Sequence, residues 1–134
     1  MANPGGEDAD ADFAVPWIGQ ANNVFVFPGI GLGAIAAETR SITDRMFLLA
    51  ARTLADAVDD DRLADGAIYP PVGHLRAVTR AIATTVAREA IRSELAAIPS
   101  DSDVDALVEV AMWWPAYVPY RPARPAERRR SAES

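Results

Sequence analysis

The sequence predicts an α/β fragment, with one short strand and about four helices, that is mostly α-helical as an isolated chain. A run of β-branched and aromatic residues at positions 24–27 has strand composition and stops at Pro28 and Gly29. Apolar residues then recur at helical spacing as far as residue 112. A single strand cannot pair its own backbone groups, so its natural partner is a sheet that this chain lacks, or its own copy in a dimer.

The first half of the chain is expected to hold this strand and two helices. Residues 31 to about 39 are small and apolar, which predicts a helix packed closely against its neighbours. Thr43 is typical of an N-cap, and Asp44 places a negative charge in the first turn, where the helix dipole favours it. The second helix then carries an apolar stripe formed by Phe47, Ala50, Ala51, Leu54 and Val58.

An irregular segment is expected between the second and third helices. Three aspartates at positions 59–61 end the second helix and begin a short turn that runs to Gly66. Tyr69 then precedes two prolines. The residue before a proline avoids the helical region, so this part of the chain is predicted to be extended.

Two further helices are predicted in the second half of the chain. The longer one runs from about residue 74 to 95, and Pro99 follows it as a stop signal. The last one covers residues 104–112 and is capped by Ser102 or Asp103.

The two ends of the chain differ in composition from the middle. Residues 1–14 are predicted to form a disordered acidic leader, and residues 119–134 a disordered tail rich in arginine and proline. The formal net charge of −6 disfavours binding to nucleic acid. The chain has no cysteine, which excludes disulfides and thiolate chemistry. We find no secretion or membrane-spanning segment in the sequence, so a cytoplasmic location without membrane contact is expected.

A glycine motif follows the predicted strand. Gly29, Gly31 and Ala34 match the G-x-G-x-x-A form of the dinucleotide-binding fingerprint. That fingerprint should open a strand–helix–strand unit whose second strand ends in an acidic residue about 20 residues later. Residues 46–57, where that strand should lie, have helical periodicity instead. Close packing at a tight turn is therefore favoured over a pyrophosphate cradle.

Two adjacent amide side chains, Asn22 and Asn23, stand just before the predicted strand. Asn offers both a carbonyl acceptor and an NH₂ donor, which suits a hydroxy-carboxylate ligand. A turn closed by Asx hydrogen bonds explains the same pair equally well. The local sequence leaves both interpretations open.

The remaining polar and aromatic candidates are weaker. His74 is the single histidine and is interpreted as a surface or capping residue. No group of residues has the spacing of a metal site. Four aromatic residues near the C-terminus are expected to pack the last helix onto the core, with an aromatic ligand surface as the alternative: Trp113, Trp114, Tyr117 and Tyr120.

Several separate motifs resemble the malic enzyme family. Residues 18–33 resemble the family segment G-Q-x-N-N-x-x-x-F-P-G-x-x-L-G. Further similarities follow in family order: residues 42–47 with Ala50 and Ala51 resemble the next helix, residues 63–71 the G-x-x-Y-P-P stretch, and residues 112–117 the M-W-x-P-x-Y close of bacterial members. The resemblance covers about residues 15–120.

This resemblance implies both a fold and a reaction. Residues 15–118 correspond to the C-terminal part of the family's NAD(P)-binding domain, a Rossmann-like, doubly wound sheet that would supply the neighbours of the lone strand. Malic enzymes oxidise L-malate with NAD or NADP. They then decarboxylate the product with a bound Mg²⁺ or Mn²⁺ ion, and pyruvate results.

The resemblance assigns roles to only two residues of this chain. Asn22 and Asn23 match the Asn pair that lines the family's malate pocket, which implies that they bind the carboxylate or hydroxyl of the substrate. The family's catalytic Tyr and Lys, its metal ligands and its true fingerprint lie upstream of the matched region. The chain contains no lysine, so no catalytic or metal-binding residue is assigned to it. It is expected to be inactive alone, with the missing upstream domains or a homo-oligomer as its partner.

A second hypothesis belongs to a different class of protein. The chain would be a non-catalytic helical interaction module, or the relic of a gene, that dimerises through the exposed strand and the face formed by Phe25 and Phe27. The acidic, polar start of the sequence favours this interpretation.

Overall fold

A computed structural model describes residues 21–119, which form five α-helices around a small core. The helices are α1 (Phe27–Ala36), α2 (Asp44–Ala55), α3 (Asp60–Ala64), α4 (Leu75–Arg92) and α5 (Val104–Ala111), with short 3₁₀ turns at Asn23–Phe25 and Val72–His74. The long helix α4 is the centre of the fold, because α1, α2 and α5 all pack against it. No helix within residues 21–119 is both long enough and apolar enough to cross a membrane. The predicted leader and most of the predicted tail lie outside the described residues.

The predicted strand at residues 24–27 is wrong for this structure. Asn23–Phe25 forms a 3₁₀ turn, and α1 begins at Phe27 with a proline in its first turn. A proline there costs no hydrogen bond, since the first amides of a helix have no intrahelical partner. No strand lies within residues 21–119, so residues 24–27 have no described strand to pair with. Their backbone N–H and C=O groups are satisfied by helical hydrogen bonds instead. The expectation of a mostly α-helical chain is confirmed.

Side-chain caps fix where three helices begin. The Thr43 hydroxyl accepts a hydrogen bond from the Met46 amide at 3.3 Å, as predicted for α2. Asp103, and not Ser102, caps α5 by accepting from the Ala106 amide at 3.1 Å. The aspartate run begins α3 where only a turn was predicted, because the carboxylate of Asp59 accepts from the Arg62 amide at 2.8 Å.

The long helix ends before its predicted limit at residue 95, and for a different reason. Glu94 has a φ of 58°, and the Leu95 amide donates to the Ala90 carbonyl at 2.9 Å. This left-handed closing turn satisfies the last carbonyls of α4 directly after Arg92, well before Pro99. Glu38, with a φ of 48°, closes α1 in the same way.

The glycine motif lets α1 and α4 approach closely. A methyl group added at Gly33 would lie 2.5 Å from the Ala83 carbonyl oxygen, and one at Gly29 would lie 2.6 Å from the β-carbon of Ile82. No atom lies within 4 Å of the corresponding position at Gly31. Gly29 and Gly33 therefore serve close packing, as the sequence predicted, but the predicted tight turn is wrong because both lie inside α1.

One buried carboxylate links α2 to α4. The side chain of Glu89 is 5% exposed and pairs with Arg92 on the same helix and, at 3.1 Å, with Arg45 on α2. Hydrogen bonds from Arg92, together with the positive charges of both arginines, hold the pKa of Glu89 below its ordinary value, although burial alone would raise it. The core around this pair is apolar, and its largest fully buried side chains are Phe25, Met46, Ile82, Val86 and Val108.

Candidate functional site

The two predicted site residues lie side by side at the start of the described chain. Asn22 and Asn23 are exposed and line a shallow depression of about 370 Å³ together with Ala21, Val26 and Tyr69. The 3₁₀ turn that carries them leads directly into α1, whose glycine face is fixed against α4. The fold therefore holds the backbone of Asn22 and Asn23 in place and leaves their side chains exposed to solvent.

Asn22 closes a turn with its side chain, which is one of the two interpretations that the sequence left open. Its side-chain carbonyl accepts a hydrogen bond from the Val24 amide at 2.9 Å, which caps the 3₁₀ turn. Its NH₂ group remains as a hydrogen-bond donor, and a carboxylate or carbonyl oxygen is the partner that a donor selects. The capping role and the ligand-binding role are thus compatible in a single side chain.

Asn23 has a freer side chain. Its backbone carbonyl closes the turn by accepting from the Val26 amide at 3.0 Å, while its side-chain amide makes no hydrogen bond within the described part of the chain. It offers both an acceptor and donors to a ligand, so it can bind a hydroxyl as well as a carboxylate.

The lining of the depression suits binding and not proton transfer. Its described residues include no carboxylate, no histidine and no guanidinium, and Tyr69 is the one side chain there that can titrate. General acid–base catalysis usually needs a group whose pKa lies near the working pH. With its two amide side chains, the arrangement can donate and accept hydrogen bonds to a small polar molecule.

Sequence reasoning did not identify Tyr69 as part of this site. Its ring lies 5.8 Å from the ring of Phe25, centroid to centroid, and its backbone carbonyl accepts from the Arg62 side chain at 3.1 Å. The sequence did contain a signal that the backbone of Tyr69 is fixed, because a tyrosine before two prolines is held in an extended conformation.

The structure gives no cradle for a dinucleotide in the glycine motif. A pyrophosphate needs the glycine backbone to be open toward the ligand, but Gly29 and Gly33 face α4. Within residues 21–119 there is also no group of three or more His, Cys, Asp or Glu side chains that could hold a metal ion. The glycine motif therefore does not fit the pyrophosphate of NAD(P), and no group of carboxylates within residues 21–119 has the ligand set of a Mg²⁺ or Mn²⁺ site.

The other predicted candidates lie apart from the depression. His74 is exposed at the junction of a 3₁₀ turn with α4 and makes no side-chain capping bond. The expectation that the C-terminal aromatic residues pack α5 onto the core is wrong for the described ones. Trp113 is 73% exposed, and Trp114 is held outside the core by the Arg76 guanidinium, which lies 3.7 Å from its ring centroid. Tyr120 lies outside the described residues.

Known proteins similar to this chain are malic enzymes. Residues 8–91 match the family described as "Malic enzyme, NAD binding domain". The chain is 38% identical over 99 residues to the NADP-dependent malic enzyme of Dictyostelium discoideum, a match that covers 74% of this chain and 18% of that protein. It is 38% identical over 104 residues to the NAD-dependent malic enzyme of Psychromonas ingrahamii, with 78% and 19% covered.

A plant relative shows the same pattern of coverage. The chain is 36% identical over 111 residues to the mitochondrial NAD-dependent malic enzyme of Amaranthus hypochondriacus, which covers 75% of this chain and 18% of that protein. The chain spans less than a fifth of the length of the curated relatives it matches. The family match covers well over half of the chain, and so this chain belongs to the malic enzyme family, in the region of its NAD-binding domain.

Proposed function

We propose that this chain supplies the substrate-contacting wall of a malic enzyme, which oxidatively decarboxylates L-malate to pyruvate and CO₂ with NAD or NADP. One observation carries the proposal: Asn22 and Asn23 stand together in an open depression at the positions that resemble the family's malate-binding pair. In this role the NH₂ group of Asn22 donates to a substrate carboxylate. Asn23 binds the second polar group, so that the two amides orient the substrate.

The hydride and proton transfers belong to the rest of such an enzyme. The described lining of the depression has no carboxylate, histidine or guanidinium, the glycine motif offers no pyrophosphate cradle, and residues 21–119 hold no cluster for a divalent ion. We therefore infer that NAD(P), with Mg²⁺ or Mn²⁺, is held by other parts of the complete enzyme. On this proposal the chain is inactive alone.

The outer surface of α1 supports docking to such a partner. The helix FPGIGLGAIA contains no charged residue on any side, which is typical of a helix buried on all faces. Yet Phe27 is 57% and Ile35 72% exposed. Beside them runs an apolar groove of about 490 Å³ between α1, the start of α4 and Trp113. We infer that the remaining part of a malic enzyme NAD-binding domain covers this face.

The rival hypothesis, an interaction module that dimerises through a strand, is not favoured. The segment at residues 24–27 is helical in this structure, and Phe25, half of the proposed dimer face, is buried. Dimerisation through α1 remains an outcome that the experiment below detects.

A reconstitution assay tests the proposal. The purified chain is mixed with an NAD-dependent malic enzyme of Pseudomonas aeruginosa, a relative 38% identical over 104 residues, truncated before the matched segment. Reduction of NAD or NADP is followed with L-malate and Mn²⁺. We expect no activity from either part and activity from the mixture.

Variants make the assay specific to the amide pair. Asn23→Ala in the mixture should lose most of the activity, whereas Arg52→Ala, a change at an exposed position of α2, should retain it. Activity of the chain alone would show that catalytic groups are present here after all. Sedimentation of the silent chain as a dimer would favour the interaction module.

A further inference from the structure

Among residues 21–119, Tyr69 is the one aromatic side chain that lines the depression of the amide pair. It comes from the extended segment between α3 and α4, far along the chain from the turn that carries Asn22 and Asn23. The site is thus built from two separate segments, and the fold must hold them against each other for the depression to exist.

The segment that carries Tyr69 is fixed at several points. The preceding Ala67 is buried and its amide donates to the Arg62 carbonyl at 2.9 Å. The Arg62 side chain in turn donates to the Tyr69 carbonyl at 3.1 Å. Pro70 is buried, and it restricts the backbone of Tyr69 to the extended region. The backbone that carries the Tyr69 ring is therefore held in a fixed position.

The ring also contacts the turn that it faces. The ring of Phe25, the residue that completes the 3₁₀ turn, is 1% exposed and lies 5.8 Å from the Tyr69 ring at an interplanar angle of 42°. Tilted aromatic pairs at this separation are attractive. A displacement of Tyr69 would remove the support behind the turn in which Asn22 and Asn23 lie.

We propose that Tyr69 is a positioning residue of the malate-contacting site: its ring forms the wall of the depression and, through Phe25, holds the turn that presents Asn22 and Asn23. This inference rests on the proposed function for the identity of the ligand, a small hydroxy-carboxylate. The ring carries this role, and the hydroxyl is dispensable. Tyr69 neither donates nor removes a proton in the reaction.

Amide hydrogen exchange of the full chain, followed by NMR, tests the proposal without substrate or partner. The reporters are the amides of Phe25 and Val26, which close the turn on the carbonyls of Asn22 and Asn23 at 3.2 and 3.0 Å. In Tyr69→Ala we expect these two amides to exchange at least about tenfold faster, as local opening requires, while the α5 amides keep their rates. Tyr69→Phe should restore the wild-type rates.

The controls separate positioning from general stability. Ile68→Ala changes the exposed neighbour that does not line the depression and should leave the turn amides unaffected. If Tyr69→Ala fails to fold, Tyr69→Leu, which keeps apolar bulk, replaces it. Faster exchange of the same two turn amides is then the expected result. Unchanged exchange at the turn, or equal acceleration throughout the core, would overturn the proposal. Because the measurement needs no catalysis, a chain that is silent in the reconstitution assay still reports on Tyr69.

Discussion

At the scale of single residues, Asn22 and Asn23 are chemically identical side chains with different duties. The side-chain carbonyl of Asn22 accepts a hydrogen bond from the Val24 amide, whereas the side chain of Asn23 makes no hydrogen bond within residues 21–119. On the proposed function, Asn22 offers its NH₂ group to the substrate and Asn23 offers both of its polar groups. This division predicts different consequences when each amide is removed.

The two alanine variants test that division. Asn22→Ala removes a cap and should destabilise the fold by about 0.5–1 kcal/mol as well as reduce reconstituted activity. Asn23→Ala should reduce activity to a similar extent and leave the unfolding free energy unchanged, because its side chain supports no described contact. Urea unfolding followed by circular dichroism, beside the reconstitution assay, measures both quantities. Equal losses of stability would contradict this division.

Glu89 gives a second residue-scale prediction, on pH. Its pKa in the folded chain lies below the unfolded value of about 4.3, so its ionised contacts stabilise the fold above that pH. This stabilisation is lost as the pH falls through the folded-state pKa. Glu89→Gln should therefore lower the midpoint of thermal unfolding at neutral pH, and the difference from the wild type should vanish in strong acid.

The matched control for this prediction is Glu109→Gln. Glu109 faces Arg80 at 3.4 Å, with both side chains about half exposed, and an exposed ion pair contributes little to stability. The control should follow the wild type at every pH. A gap between wild type and Glu89→Gln that persists in strong acid would show that packing, and not charge, explains the effect.

At the scale of elements, the packing of α1 against α4 is the main helix–helix contact of the fold, and the glycines of α1 make it possible. Gly33→Ala would push a methyl group against the Ala83 carbonyl, so it should destabilise the chain by about 1–3 kcal/mol. Gly31→Ala on the open side of the same helix meets no atom and should stabilise it by about 0.5–1 kcal/mol. Denaturant unfolding of the two variants measures the contrast. Equal effects would mean that the packing of α1 against α4 does not require glycine at position 33.

At the scale of the whole molecule, the exposed apolar face of α1 is the surface through which we propose that the chain associates. Ile35→Ser should leave the unfolding free energy nearly unchanged, because the side chain is mostly exposed, but should weaken reconstitution with the truncated partner. Leu63→Ser, at an exposed apolar position of α3 away from the groove, is the control and should reconstitute normally. Titration of the partner against each variant gives the comparison. Normal reconstitution by Ile35→Ser would place the interface elsewhere.

Family membership and the amide pair were both accessible from the sequence, whereas the complete site was not. The motifs around Asn22 and Asn23 are contiguous in the sequence, so they can be recognised without the tertiary structure. Tyr69 joins them only through the tertiary contact of its ring with Phe25.

The sequence alone determined the helix start at Thr43, limited the start of α5 to Ser102 or Asp103, and indicated the mostly helical character of the chain, because capping and periodicity act within a few residues. Tertiary structure decided the conformation of residues 24–27, since strand composition produces a strand only where a neighbouring strand accepts its hydrogen bonds. It also decided how the glycine motif is used. The sequence favoured close packing over a phosphate cradle, and the surface of α4 opposite Gly29 and Gly33 shows which helix the glycines pack against.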